Sequence, residues 1–142
     1  MSAKIFADTN IHVYCHTSSA DAKETSKRDM ALKWLDECPW VISTQVIREF
    51  ANVMMGKGKR TATETESHVE DMIEIAELVV EEDLWLIRKA FEIHRAYGYS
   101  YYDSLVIAAA LSAECEILLS EDMQHGQLIE NTLKIVNPFA PK

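Results

Sequence analysis

Three absences narrow what this 142-residue chain can be. No apolar run approaches the twenty or so residues that span a bilayer, and Met1-Ser2-Ala3-Lys4-Ile5 carries no secretory apolar stretch, so a soluble, cytoplasmic protein is expected. Cysteine is scarce: Cys15, Cys38 and Cys115 are odd in number and form no C-x-x-C pair. That argues against a disulfide framework or a thiolate zinc site and leaves reduced, buried thiols as the expectation. His12 and His16 have the spacing of one helix face, but the glutamate of H-E-x-x-H does not follow the first histidine. The third shortage is positive charge. A formal net charge of −9 argues against binding of nucleic acid by a broad basic face, because neutralising phosphates needs clustered Lys and Arg. A local contact is not excluded: Lys57-Gly58-Lys59-Arg60, with flexible glycines between its charges, reads either as a grip on a passing RNA strand or as a solvated interhelical loop.

What is present is enough for one compact domain over residues 1–142, with 48% hydrophobic residues to build its core. Ile5-Phe6-Ala7, Val41-Ile42-Ser43, Ile117-Leu118-Leu119 and Leu133-Lys134-Ile135-Val136 have the length and composition of strands, and Leu78-Val79-Val80 is a possible fifth. Helical patterns separate them. One runs from about Ala22 to before Pro39, with Met30, Leu32, Trp34 and Leu35 loading its second half. Another carries Val46, Ile47, Phe50, Val53 and Met54 and closes at Gly56; a third runs from His68 to Ala76 on Val69, Met72, Ile73 and Ala76. The next spans about Asp83 to Tyr97 and stops at Gly98. The last, Tyr101 to Ala113, is apolar nearly all round and therefore belongs inside the fold. Strands alternating with helices predict a three-layer α/β domain: a central, mainly parallel sheet flanked by helices, with ligands collecting beyond the carboxyl ends of the strands.

Four acids sit at the edges of these elements. Asp8 ends the first strand and Asp122 follows the fourth; Glu49 flanks the apolar stripe of its helix; Asp103 lies in the first turn of the buried helix. Each has an ordinary reading. Asp8 is a competent helix cap, Glu49 a surface residue, Ser100-Tyr101-Tyr102-Asp103 a capping box, and Asp122 a turn residue. Taken together they place oxygen ligands at two strand ends and two helix heads on one face. Carboxylates at close range repel unless a cation sits among them, which points to Mg²⁺ or Mn²⁺ and to phosphodiester hydrolysis.

In this order and context, Asp8-Thr9-Asn10, Glu49, Tyr102-Asp103 before Ala108-Ala109-Ala110, and Leu118-Leu119-Ser120-Glu121-Asp122 resemble the PIN-domain ribonucleases along the whole chain. The chain's size and Ser120-Glu121-Asp122-Met123-Gln124-His125-Gly126 look most like the VapC toxins of bacterial toxin–antitoxin pairs. The resemblance implies an RNA endonuclease whose Mg²⁺ or Mn²⁺ is held by Asp8, Glu49, Asp103 and Asp122 or a subset. It also implies polar support from Thr9, Asn10 and Ser120, a homodimer, and an antitoxin that feeds a basic side chain toward the acids. Two other readings stand beside it. One is a non-catalytic module of the same fold that binds RNA or protein. The other is aspartyl-phosphate chemistry, although Asp8 lacks a second aspartate two residues on and no late-strand lysine stands in the expected context.

Overall fold

In the computed structural model, residues 2–18 and 20–141 are described; Met1, Ser19 and Lys142 of the expected 1–142 domain lie outside the described residues. The elements follow in the order β1 (Ile5–Ala7), α1 (Thr9–Cys15), α2 (Ala22–Glu37), β2 (Trp40–Ser43), α3 (Thr44–Met55), α4 (Ala62–Ile75), β3 (Leu78–Val80), α5 (Leu84–Tyr97), α6 (Tyr101–Ser112), β4 (Ile117–Leu119), β5 (Leu128–Ile129) and β6 (Leu133–Val136). They build one six-stranded sheet in the order β3-β2-β1-β4-β6-β5. All pairings are parallel except β5 with β6. The α/β class with a mainly parallel central sheet is as the sequence predicts.

Chain direction explains the layers. From β1 the chain steps outward to β2 and then β3, by way of α1–α2 and α3–α4. From β3 it returns by α5–α6 to β4, on the far side of β1. Crossovers between parallel strands are right-handed, so connections running in opposite directions lay their helices on opposite faces. The packing agrees: α1 meets α2 and α3, α3 meets α4, and α5 packs on α6. The sequence order reverses between β1 and β4, which is where an α/β sheet opens a crevice beyond its strand ends.

Local chemistry sets the element boundaries. Asp21, Ser43, Asp83 and Ser100 each accept a backbone N–H at the head of a helix. Gly98 ends α5 in the left-handed region (φ 79°), where a side chain is disfavoured. Ser104 through Ala110 of α6 are all buried, as an all-round apolar helix requires. Burying β1, β2, β4 and α6 together makes the core one continuous cluster, with Phe6, Phe50, Ile107 and Leu118 fully inside.

Several expectations are corrected. In α2, Ala31, Trp34 and Leu35 take the inward face at i, i+3 and i+4, which turns Met30 and Leu32 outward to 43% and 45% exposure. The third helix starts at Ala62, well before His68, because Thr61 and Glu64 form a reciprocal capping box. Only Cys115 is fully buried; Cys15 and Cys38 are half-buried. The edge strand β5 is an addition to the expected set, being too short to show a period. The glycines around Lys57 are not flexible: a Cβ on Gly58 would lie 2.7 Å from the Met54 carbonyl oxygen, and the N–H groups of Gly58 and Arg60 close onto Val53 and Met54.

Candidate active site

The crevice between β1 and β4 is built first by backbone. The Asp8 N–H donates to the Leu119 carbonyl at 2.9 Å, extending the β1–β4 pairing past the last strand residue and aiming the Asp8 side chain beyond the sheet. Asp8 then caps α1, its Oδ1 accepting from the Thr9 N–H at 2.8 Å while Ser120 Oγ donates to Oδ2 at 3.1 Å. The Ser120 hydroxyl also receives the N–H groups of Asp122 and Met123, both at 3.3 Å, so one buried hydroxyl ties the loop after β4 to the end of β1. Ligand and cap therefore are not competing roles for Asp8.

Glu49 stands on α3 with an exposed side chain held in place. Thr9 Oγ1 donates to one carboxylate oxygen at 3.2 Å and Gln45 Nε2 to the other at 2.8 Å. Asn10 Nδ2 donates to Asp122 Oδ2 at 2.9 Å. Asp103 enters from α6, where its N–H donates to Ser100 Oγ at 3.1 Å. Thr9, Asn10 and Ser120 thus each orient a different carboxylate.

All four acids share one electrostatic neighbourhood. Burial pushes the Asp8 carboxyl from 3.8 up to about 6, opposed by its hydrogen bonds from Thr9 and Ser120 and reinforced by the charges of Asp103 and Glu49. Burial also raises Asp103, with Asp122 and Glu49 adding to the rise and Ser100 working against it. An all-oxygen, multiply charged donor set of this kind suits a hard cation, and burial first, mutual repulsion second, is what raises these two carboxyls. Among the described residues, no three His, Cys, Asp or Glu side chains converge closely enough to ligate one ion directly. Thr9 and Gln45 occupy the two oxygens of Glu49, and Asn10 occupies one of Asp122. The donor chemistry fits Mg²⁺ or Mn²⁺, and engaging an ion requires the carboxylates to draw inward.

Two contributors escape a reading of the sequence. Gln45 is buried in the first turn of α3 and bridges Glu49 to the carbonyl of Tyr102 at 3.2 Å, joining α3 to the head of α6. Its one signal is its place four residues before Glu49, on the same helix face. The second is Glu121, which takes Lys27 Nζ at 2.5 Å and the Tyr14 hydroxyl at 2.9 Å, anchoring the Asp122 loop to α2 and α1. Nothing local in the sequence announces a pair separated by so many residues.

The basic cluster lies elsewhere. Arg60 donates to the His16 carbonyl at 2.9 Å and stands 4.0 Å from Glu64. Lys57 and Lys59 are exposed beyond the end of α3, whose last residue, Met55, lies roughly 9 Å along the helix from Glu49 at 1.5 Å per residue. His12 is buried against Trp40 with its Nε2 unpartnered, whereas His16 packs on Phe50 and His68. No described helix is long and apolar enough to cross a membrane.

Solved structures share this architecture. A chain of a toxin–antitoxin complex from Klebsiella pneumoniae is 18% identical, with 95% of this chain and 98% of that chain aligned at a TM-score of 0.66. FitAcB from Neisseria gonorrhoeae aligns at 0.61 with 14% identity over 95% and 98% of the two chains. VapC20 of Mycobacterium tuberculosis, a toxin that cleaves the sarcin–ricin loop, aligns at 0.56 with 18% identity over 80% and 86%. No curated protein matches the sequence. The PIN domain model matches residues 5–128, from the first residue of β1 into β5 and so across the crevice and all four acids, and on that evidence the chain belongs to the PIN domain family.

Proposed function

We propose that residues 1–142 act as one nuclease domain, a Mg²⁺- or Mn²⁺-dependent endoribonuclease that is the toxin of a type II toxin–antitoxin pair. The observation that carries the reading is that Asp8 and Asp103 are raised above the ordinary carboxylate range chiefly by burial, with the charges of Glu49, Asp103 and Asp122 around the β1–β4 crevice adding to it. These four carboxylates would hold the metal, which when bound polarises a phosphoryl oxygen and supplies hydroxide near neutral pH.

The chain's own residues do the positioning. Ser120 and the Thr9 N–H fix both oxygens of Asp8; Thr9 and Gln45 fix Glu49; Asn10 fixes Asp122. Pre-orienting ligands in this way reduces the reorganisation needed at the moment of reaction. Asp8, whose carboxyl titrates near 6, is able to hold a proton just below neutral pH and give it up as a cation enters.

Support for a toxin comes from the fold shared with chains in toxin–antitoxin complexes and with an RNA-cleaving toxin. An antitoxin would insert an Arg or Lys among the acids, relieving the same repulsion that a cation relieves, and the working form would be a homodimer. The openness of the carboxylates favours one other reading, a non-catalytic module that binds RNA or protein. Cleavage of RNA by the purified protein separates the two. Cleavage is expected with Mg²⁺ or Mn²⁺, much less with Ca²⁺, and none with a chelator or in Asp8→Asn and Asp103→Asn variants of unchanged fold. No cleavage with either ion would refute the nuclease reading, and chelator-resistant cleavage, or wild-type rates in both variants, would refute the metal site.

A further inference from the structure

Beside the acids, the head of α6 and the middle of α5 carry aromatic rings that the core does not use. Tyr102, the residue before Asp103, is 69% exposed, and Phe91 on α5 is 49% exposed. Tyr101 lies between them, its ring centroid 5.1 Å from Phe91 and 5.9 Å from Tyr102. This row is rigidly joined to the acid cluster, because the Tyr102 carbonyl is held by the same Gln45 amide that holds Glu49.

Two cations flank the row. Arg88 and Arg95 stand at i−3 and i+4 from Phe91, on its face of α5; both are exposed and neither forms an ion pair among the described residues. Several other cations of the chain are engaged, Lys27 by Glu121, Lys89 by Glu92 and Glu130, Arg60 by His16 and Glu64, whereas Arg48, Lys57 and Lys59 also form no ion pair among the described residues but have no exposed ring row beside them. In a protein of net charge −9, unpaired arginines interleaved with exposed rings are the pattern that binds single-stranded nucleic acid, rings taking base faces and guanidinium groups taking phosphates. The row's tie to the acid cluster through Gln45 favours a strand that reaches those acids over a second protein copy.

We propose that Phe91, Tyr101 and Tyr102, flanked by Arg88 and Arg95, form a rail that stacks unpaired nucleobases and leads an RNA strand to the acid cluster. This deepens the nuclease reading and rests on it for the purpose of the rail. The rail, rather than Lys57, Lys59 and Arg60, carries strand affinity.

The test is equilibrium binding of a short single-stranded RNA containing 2-aminopurine, measured in chelator so that cleavage plays no part. Wild type should bind and quench the probe. Tyr102→Leu and Phe91→Leu, which keep apolar bulk and lose the stacking face, should each weaken binding about tenfold and reduce quenching, while Tyr102→Phe retains both. Replacing Arg88 and Arg95 with Ala should flatten the log affinity against log salt slope by about 1.4, and replacing Lys57 and Lys59 should leave it unchanged. No RNA binding by wild type, or leucine variants that bind and quench normally, would overturn the rail. Leucine variants that fall from dimer to monomer in ultracentrifugation while binding RNA normally would assign the face to a second copy instead. Metal-dependent cleavage, measured on the same preparations, keeps the two proposals apart: its absence with stacking intact removes the nuclease reading, and its presence with stacking unaffected by the variants removes the rail.

Discussion

Asp8→Asn should make the metal-free protein more stable at neutral pH while removing its activity. The native Asp8 carboxyl titrates near 6 against 3.8 for the free group, so between those values the native state binds the proton that the unfolded chain has already released. The resulting cost is absent below about pH 4, grows as pH rises through 4 to 6, and is complete above pH 6. A rise of that size corresponds to about 3 kcal/mol. Partial contact with water and an imperfect hydrogen bond to Ser120 reduce the net gain from Asn to about 1–2 kcal/mol, or roughly 3–6 °C in Tm. Asn can still accept the Thr9 N–H through Oδ1, and its amide group faces the Ser120 hydroxyl. Urea unfolding in chelator at pH 7.5 and at pH 4 measures the effect. A gain at the higher pH that vanishes at the lower is expected, and Mn²⁺ should narrow it by stabilising wild type alone. A variant no more stable than wild type at pH 7.5 would refute the idea that burial and charge crowding strain Asp8.

Other consequences follow from single contacts. His12, buried against Trp40 and close to His16, has its pKa lowered to about 3, so the stability it allows is complete above 6.5 and is lost as pH falls toward 3; His12→Phe should flatten that acid limb in urea unfolding. A double-mutant cycle on Lys27→Met and Glu121→Gln should give a coupling of about 1 kcal/mol, since the pair is half-buried and tied to Tyr14; additive effects would make it an ordinary surface contact. Gly58→Ala should destabilise by about 1–3 kcal/mol in thermal melts, because its Cβ would collide with the Met54 carbonyl; a neutral effect would show that the turn is loose.

The sheet is legible in the sequence because β1, β2, β4 and β6 are compact apolar runs, and α6 because it is apolar all round. The four acids are legible by position, each following a strand or lying near the head of a helix. The structure adds that Thr9, Asn10 and Ser120 are divided among three of them. What the sequence hides is what depends on distant partners. Gln45 looks like a helix-head polar residue until Tyr102 and Glu49 are seen on either side of it. Lys57-Gly58-Lys59-Arg60 stands out as adjacent charge, yet its Arg60 turns back onto α1 and α4. Arg88 and Arg95 give no such signal, being separated by a helical turn on either side of Phe91, and only the fold brings that face beside Tyr101.

Everything proposed for catalysis depends on Asp8, Glu49, Asp103 and Asp122 together taking a divalent cation. Calorimetric titration of Mn²⁺ into metal-free protein at pH 6 and pH 8, in buffers of different ionisation enthalpy, tests this without RNA. Saturable binding is expected, abolished or weakened at least tenfold by Asp8→Asn and by Asp103→Asn. With Asp8 titrating near 6, wild type should release about half a proton per site at pH 6 and almost none at pH 8. Absence of Mn²⁺ binding, or binding indifferent to both substitutions and to pH, would contradict it.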